Sequence, residues 1–360
     1  MHSRQRNNKT LVKAGETRPW GHQRWERWQG PVLTVSVAVM AILAALWLGY
    51  EFWRLLWQPE ELAGRPVHPG ATDLIERSNE IRMWFSGRQG RRVYPPASYL
   101  MLWPLLGWLP LQWAITLWAV TSLAALGWLA ALVVRESGVE SRMARRFAAL
   151  LPLSMYATGA TIGNGQLILL VLPMLMAGIL ALRRGPASWP RDLGASLLIL
   201  ASLVKPSISA PFFWIVAFTT GRLRPSLLIV LGYVLLAGAA SPFNAGGPVW
   251  QHYDWLVRGA DVWLLLGVSA IAARLWMYHR WYDDLLILLP MITLVRIARR
   301  HTGPGMAPAG WLLACAVLTS LAPGGLFLLP PPWTGVYVIV QLTIWLAVLG
   351  YLLSWGRQRA

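Results

Sequence analysis

A succession of apolar runs, each about as long as a bilayer is thick, leaves this chain very few folds. Hydrocarbon offers no water to backbone N–H and C=O groups, so a spanning segment must be a helix or part of a closed barrel. A helix rises about 1.5 Å per residue and needs about 20 residues to cross roughly 30 Å of hydrocarbon, somewhat fewer where polar ends snorkel. Ten runs meet that need, at about 32–50, 111–134, 147–162, 165–182, 192–206, 207–220, 226–241, 283–298, 307–322 and 334–354. The fifth and sixth are short and separated only by the bend "VKPSISAP". The expected fold class is all-α: a polytopic membrane protein of about 10 transmembrane helices, with residues 1–30 as a basic tail and 31–360 as a single transmembrane domain.

Composition agrees, since 56% of the 360 residues are hydrophobic and 13% charged, more apolar surface than a water-soluble domain could hide. The net charge of +17 would suit nucleic acid, but the basic residues flank apolar runs, where they set membrane orientation; no nucleic-acid partner is expected. Tryptophans near segment ends (Trp20, Trp25, Trp28, Trp53, Trp57, Trp333) fit the amphipathic belt at headgroup level. The single cysteine, Cys315, excludes an internal disulfide and a cysteine zinc site.

The first run is too long for a signal-peptide core, and Trp47, Leu48 and Tyr50 stand where a small-residue cleavage site would be needed, so it reads as a retained span. The stretch "PPASYLMLWPLLGWLP", 95–110, would rise only about 24 Å as a helix and is interrupted by Pro104 and Pro110. Counted as interfacial, it leaves 21 of the 32 Lys and Arg on the side of the N-terminal tail and 11 on the other; counted as a crossing, it inverts that split. The excess of cytoplasmic Lys and Arg in membrane proteins selects the first count. The expectation is a multi-pass protein of the cell membrane, both termini cytoplasmic, with an interfacial helix in the first outer loop. The long outer segments are then about 51–110 and 242–282.

Function at the outer face is sought in those loops and in the span ends beneath them. Asp73, Glu76, Arg77 and Glu80 fall at i, i+3, i+4 and i+7 of a helix starting near Thr72, with Leu74, Ser78, Ile81 and Phe85 opposite. Such a helix would rest on the membrane and aim its carboxylates outward; equally, Asp73 could serve only as a cap. Arg88, Arg91 and Arg92 precede Tyr94-Pro95-Pro96 and could grip a phosphate or simply attract anionic headgroups. Lys205 is the one basic residue inside an otherwise apolar stretch, either functional or snorkelling, with Pro206 breaking the helix after it. Asn164 and Gln166 in "TIGNGQLILL" could bond a sugar's hydroxyls or their own turn. Asp283 and Asp284 open the eighth span, as helix caps or as ligands for an acceptor; His252, with Tyr253 and Asp254, adds a weaker polar group. No cofactor is called for: no His/Asp/Glu cluster at metal-ligand spacing accompanies the acids, though assistance by a divalent cation stays open.

In order along residues 32 to 300, a first outer loop with Asp73 leading a helix, "YPPASYLMLWPLLGWLP", "GNGQLILLVLPMLMAGILALRRG", "LGASLLILASLVKPSISAPFF" and "YDDLLILLP" resemble the GT-C class of polyprenyl-phosphate-sugar-dependent glycosyltransferases. The nearest member is glycosyltransferase family 87, of the alpha-1,2-mannosyltransferase-like kind. The resemblance implies a polyprenyl-phosphate sugar donor in the outer leaflet, a glycan or glycolipid acceptor, and inverting transfer of mannose or a similar hexose. It implies further that Asp73 is the general base and Lys205 faces the donor phosphate. Asn164, Gln166, Asp283 and Asp284 would line the same cavity, with Glu76, Arg91, Arg92, Tyr94 and His252 near it. Alternatives are a transporter or flippase for a lipid-linked sugar, and a non-catalytic scaffold of an envelope complex.

Overall fold

The computed structural model describes residues 20–58, 69–88, 93–184, 186–219, 223–243, 281–300, 306–324 and 328–357. Within them the regular structure is helical. In chain order the helices are α1 (Trp20–Trp57), α2 (Thr72–Phe85), α3 (Pro96–Leu102), α4 (Leu111–Ser137), α5 (Arg142–Ser154), α6 (Tyr156–Asn164), α7 (Ile168–Arg183), α8 (Trp189–Ser202), α9 (Pro206–Ser209), α10 (Leu223–Ala240), α11 (Leu288–Arg300), α12 (Met306–Ser320) and α13 (Trp333–Arg357).

Among the described residues, four helices are long and apolar enough to cross a membrane: Gly30–Trp57 of α1, Leu111–Ser137, Leu223–Phe243 and Trp333–Leu352. The count rises to six if each of two bent pairs, α6 with α7 and α8 with the helix from Pro206 to Phe218, is taken as one span. All ten expected segments are helical, but the others are shorter than a full crossing or broken. Both pairs bend by 117°, at the glycine turn 163–165 and at Lys205-Pro206. Proline has no N–H to donate and its ring clashes with the preceding turn, which ends α8 where the sequence predicted. A milder break at Met155, extended at φ −72° and ψ 135°, separates α5 from α6, both of which pack along α1. There Met155 pairs with Leu321, and the Ala322 N–H donates to the Ser154 carbonyl at 2.9 Å.

The core gathers around α4 and α7, with Leu129, Val133, Ile168, Leu169 and Leu172 fully enclosed. Within the membrane-length windows, 44% of α4 is buried, against 11% of α1, 17% of α10 and 11% of α13. α4 is therefore interior, while the other three present Val35, Ile42, Leu46, Leu231, Val234, Ile339 and Leu346 outward to lipid.

Residues 95–110 do not make a transmembrane helix. Pro95 is extended, Pro96 opens α3 at its first position, and a π-helical turn over Trp103–Gly107 ends the helical run before Pro110. α4 starts immediately after that proline and stops at Gly138, whose φ of +66° is the left-handed conformation favoured at a helix end.

Candidate functional site

The end of α1, the start of α2 and the turn between α6 and α7 meet at one place. Glu51 and Arg54, three residues apart, are 2% and 7% exposed. The Arg54 guanidinium donates from Nε to Glu51 Oε2 (2.7 Å), from Nη1 to the Pro69 carbonyl (2.8 Å) and from Nη2 to Asn164 Oδ1 (2.9 Å). An ion pair this deep persists only when its remaining donors are satisfied, and Arg54 meets that condition. Gly163 leaves the pair its space, since a Cβ there would fall 1.9 Å from Glu51 Oε2. Gly165 adopts φ +73°, and a Cβ on it would meet the Leu74 Cβ at 2.5 Å. The Ala71 N–H donates to the Gly163 carbonyl at 2.7 Å, so the start of α2 is bonded to the turn as well as packed on it.

Asp73 is thereby held beside this turn. It is half-buried, and among the described residues no hydrogen bond or ion pair engages its carboxylate. Capping does not account for it: Ala71 is the N-cap, at φ 57°, with no side-chain bond to the helix. Lys205 reaches the same turn from α8. Its ammonium is buried and donates from Nζ to Gln166 Oε1 at 3.2 Å. The Gln166 backbone N–H donates to the Thr161 carbonyl at 2.8 Å, so the acceptor is itself fixed. The start of α2, which carries Asp73, the turn residues Asn164 and Gln166, and Lys205 therefore come together at residues 163–166 from three parts of the chain.

The remaining face of α2 corrects an expectation. Arg77 and Glu80 do not point outward but are buried against α3, while Glu76, like Asp73, stays partly exposed. Arg77 pairs with Glu80 and, at 3.1 Å, with Glu76; the Tyr99 hydroxyl donates to Glu80 Oε2 at 3.1 Å. Tyr99 in turn accepts from the Val93 and Tyr94 N–H groups, and Arg77 lies over the Tyr94 ring at 4.8 Å. These contacts offset the desolvation that an inward acid and base incur. Burial still pushes the Glu80 carboxyl above the ordinary range, outweighing Arg77, and Glu80 Oε1 has no partner. Burial also pushes the Tyr99 hydroxyl up to about 12, keeping it a donor.

Asp284 is apart from this group. It accepts from the Tyr156 hydroxyl, to which Gln341 Nε2 also donates at 3.2 Å, tying α6 to α13. Arg91, Arg92 and His252 lie outside the described residues, as does the side chain of Asp283. Sequence reading missed Glu51, Arg54 and Tyr99. The Glu51 and Arg54 spacing at i, i+3 within an apolar run was a usable sign of a buried pair.

Chemically, the start of α2 carries a carboxylate beside the turn, and the turn's Gln166 amide holds an ammonium. Among the described residues no group of three or more His, Cys, Asp or Glu is arranged to hold a metal. Comparison with protein-family models, with curated proteins and with solved structures finds no match, so the functional reading rests on this geometry and on the sequence resemblance.

Proposed function

We propose that the protein is a membrane glycosyltransferase that moves a hexose such as mannose from a polyprenyl-phosphate donor to a glycan or glycolipid acceptor at the outer face of the cell membrane. The observation that supports this reading is that the start of α2, which carries Asp73, and the ammonium of Lys205 are both docked on the 163–166 turn. In this reading the chain crosses the bilayer ten times with both termini cytoplasmic, and the turn lies at the outer end.

The chemistry is a single displacement. Asp73 takes the proton of the acceptor hydroxyl as its oxygen attacks the anomeric carbon, the bond to the phosphate oxygen breaks, and Lys205 stabilises the phosphate that leaves. Positive charge develops on the sugar ring as in glycoside hydrolysis, and attack opposite the leaving group inverts the centre. The oily donor tail explains why the site sits at a span end and not in a soluble domain. Asn164 and Gln166 act mainly by positioning, since each is engaged by a cation of the protein.

The test is sugar transfer in proteoliposomes given a polyprenyl-phosphate hexose and a mixture of envelope glycolipids. Asp73→Asn is expected to lower transfer about 100-fold or more while the protein inserts and purifies normally. Undiminished transfer removes Asp73 from the mechanism. The two 117° bends favour a second reading, a flippase for a lipid-linked sugar, because discontinuous helices frame many transport sites. Movement of the labelled donor across the vesicle without a new glycosidic bond would select it.

A further inference from the structure

At the other end of the bundle, α4, α7 and α11 stop around one acid. Glu136, in the last turn of α4, is buried, and three guanidiniums converge on it. Arg184 Nη2 hydrogen-bonds Oε1, Arg135 Nε lies 3.6 Å from Oε1, and Arg296 Nη1 lies 3.8 Å from Oε2 while donating to the Glu136 backbone carbonyl. Their side chains stay 64% (Arg135), 41% (Arg184) and 37% (Arg296) exposed. One carboxylate cannot neutralise three cations, so two positive charges remain.

The arrangement does more than place charge at an interface. A guanidinium has five N–H donors, and contacts to Glu136 occupy only some of them, leaving the outer edges open. Because Glu136 holds Arg184 through its carboxylate and Arg296 through its backbone carbonyl, less rotamer freedom is lost when they grip a further anion. Helix C-termini present carbonyls, so any anion here must be held by these side chains and not by backbone N–H groups. Depth identifies the anion's carrier. α4 has 27 residues and is about 40 Å long, so a crossing of roughly 30 Å of hydrocarbon leaves about 10 Å for its ends, within reach of the headgroup phosphates.

We propose that Arg135, Arg184 and Arg296, ordered by Glu136, form a seat for the phosphate of an anionic membrane phospholipid. This inference does not depend on the proposed transferase activity. The phosphate bridges two guanidiniums through paired N–H···O bonds, as arginine forks allow and lysines do not.

The experiment uses the full chain in nanodiscs of phosphatidylcholine with or without phosphatidylglycerol, followed by native mass spectrometry of the lipid retained after transfer to detergent. Wild type is expected to keep phosphatidylglycerol selectively, and Arg184→Gln with Arg296→Gln to lower that retention about tenfold. Arg145→Gln with Arg146→Gln changes net charge equally at exposed positions of α5 and is expected to leave most of it. Equal losses in the two double variants mean diffuse attraction and overturn the seat, as does full retention by Arg184→Lys with Arg296→Lys. Should the glutamine variant fail to fold, wild type decides. Retention of an anionic lipid without phosphate equal to that of phosphatidylglycerol overturns the proposal, and so does binding of inorganic phosphate with no lipid retained.

Discussion

At the α2 end of the bundle charges are buried and matched: Glu51 with Arg54, Glu80 with Arg77, and Lys205 against the Gln166 amide. At the end where α4, α7 and α11 stop, one buried carboxylate faces three exposed guanidiniums. Buried charges lose hydration and must recover it from fixed partners, so each group at the α2 end is locked in place before any substrate arrives. Exposed arginines need no such compensation, and in the proposed lipid seat they stay available to a phosphate. The difference separates an end whose charges are fixed by partners from one whose charges stay open, and it can be broken by removing one charge from each.

The largest effect falls on Arg54. Arg54→Met leaves Glu51 charged and unpaired in the interior, which is expected to cost about 3–5 kcal/mol, read as a fall in Tm of the purified protein in detergent. Pairing it with Glu51→Gln should recover most of that loss. Arg184→Met leaves Glu136 two other guanidiniums and is expected to cost less than about 1 kcal/mol. Equal losses at the two arginines would erase the distinction between the ends.

Next is Lys205. Lys205→Met removes the cation from the turn, and transfer is expected to fall about 100-fold, equivalent to about 2.7 kcal/mol of transition-state stabilisation. Arg146→Gln, exposed on α5 at the basic end, should leave kcat/KM within about twofold. A matching loss in both would mean that charge anywhere on the protein, and not its place, governs the reaction.

The helices were legible because run length and hydropathy report burial in lipid, and the breaks at 163–165 and 206 because glycine and proline act locally. The interruption of the helical run within 95–110 was likewise written in Pro104 and Pro110. The orientation of α2 was not, since its period-3.6 pattern has two candidate inner faces and Tyr99 decides between them from another helix. Asn164 reads as a sugar ligand from its turn, yet its partner Arg54 lies 110 residues away, beyond any local spacing rule. Three chain segments converge on Glu136 in the same way, so that cluster too had no local signature.

Two glycines with the same backbone sharpen the contrast further. Gly138 at the basic end has φ +66° and nothing within 4 Å of an added Cβ, whereas Gly165 at φ +73° has the Leu74 Cβ at 2.5 Å. Gly138→Ala is expected to cost about 1 kcal/mol, from left-handed backbone strain alone. Gly165→Ala adds an overlap that must push α2 away from the turn, for about 2 kcal/mol in all, with a matching loss of transfer. Equal costs would show that α2 yields freely and does not hold Asp73 in place.

The smallest effect is a pH dependence at Glu80. Its folded carboxyl titrates above the ordinary 4.5, because burial outweighs the lowering by Arg77 and Tyr99. Between 4.5 and the folded value the native state binds a proton that the unfolded chain has released, so stability falls as pH rises through that window. The favourable contribution is complete below 4.5 and gone above the folded value, the reverse of a salt-bridged acid with a depressed pKa. Glu80→Gln keeps an acceptor for the Tyr99 hydroxyl and removes the titration, so its Tm should be flatter across that window than that of wild type. If wild type instead gains stability as pH rises there, the pull of Arg77 on the Glu80 carboxyl outweighs its burial.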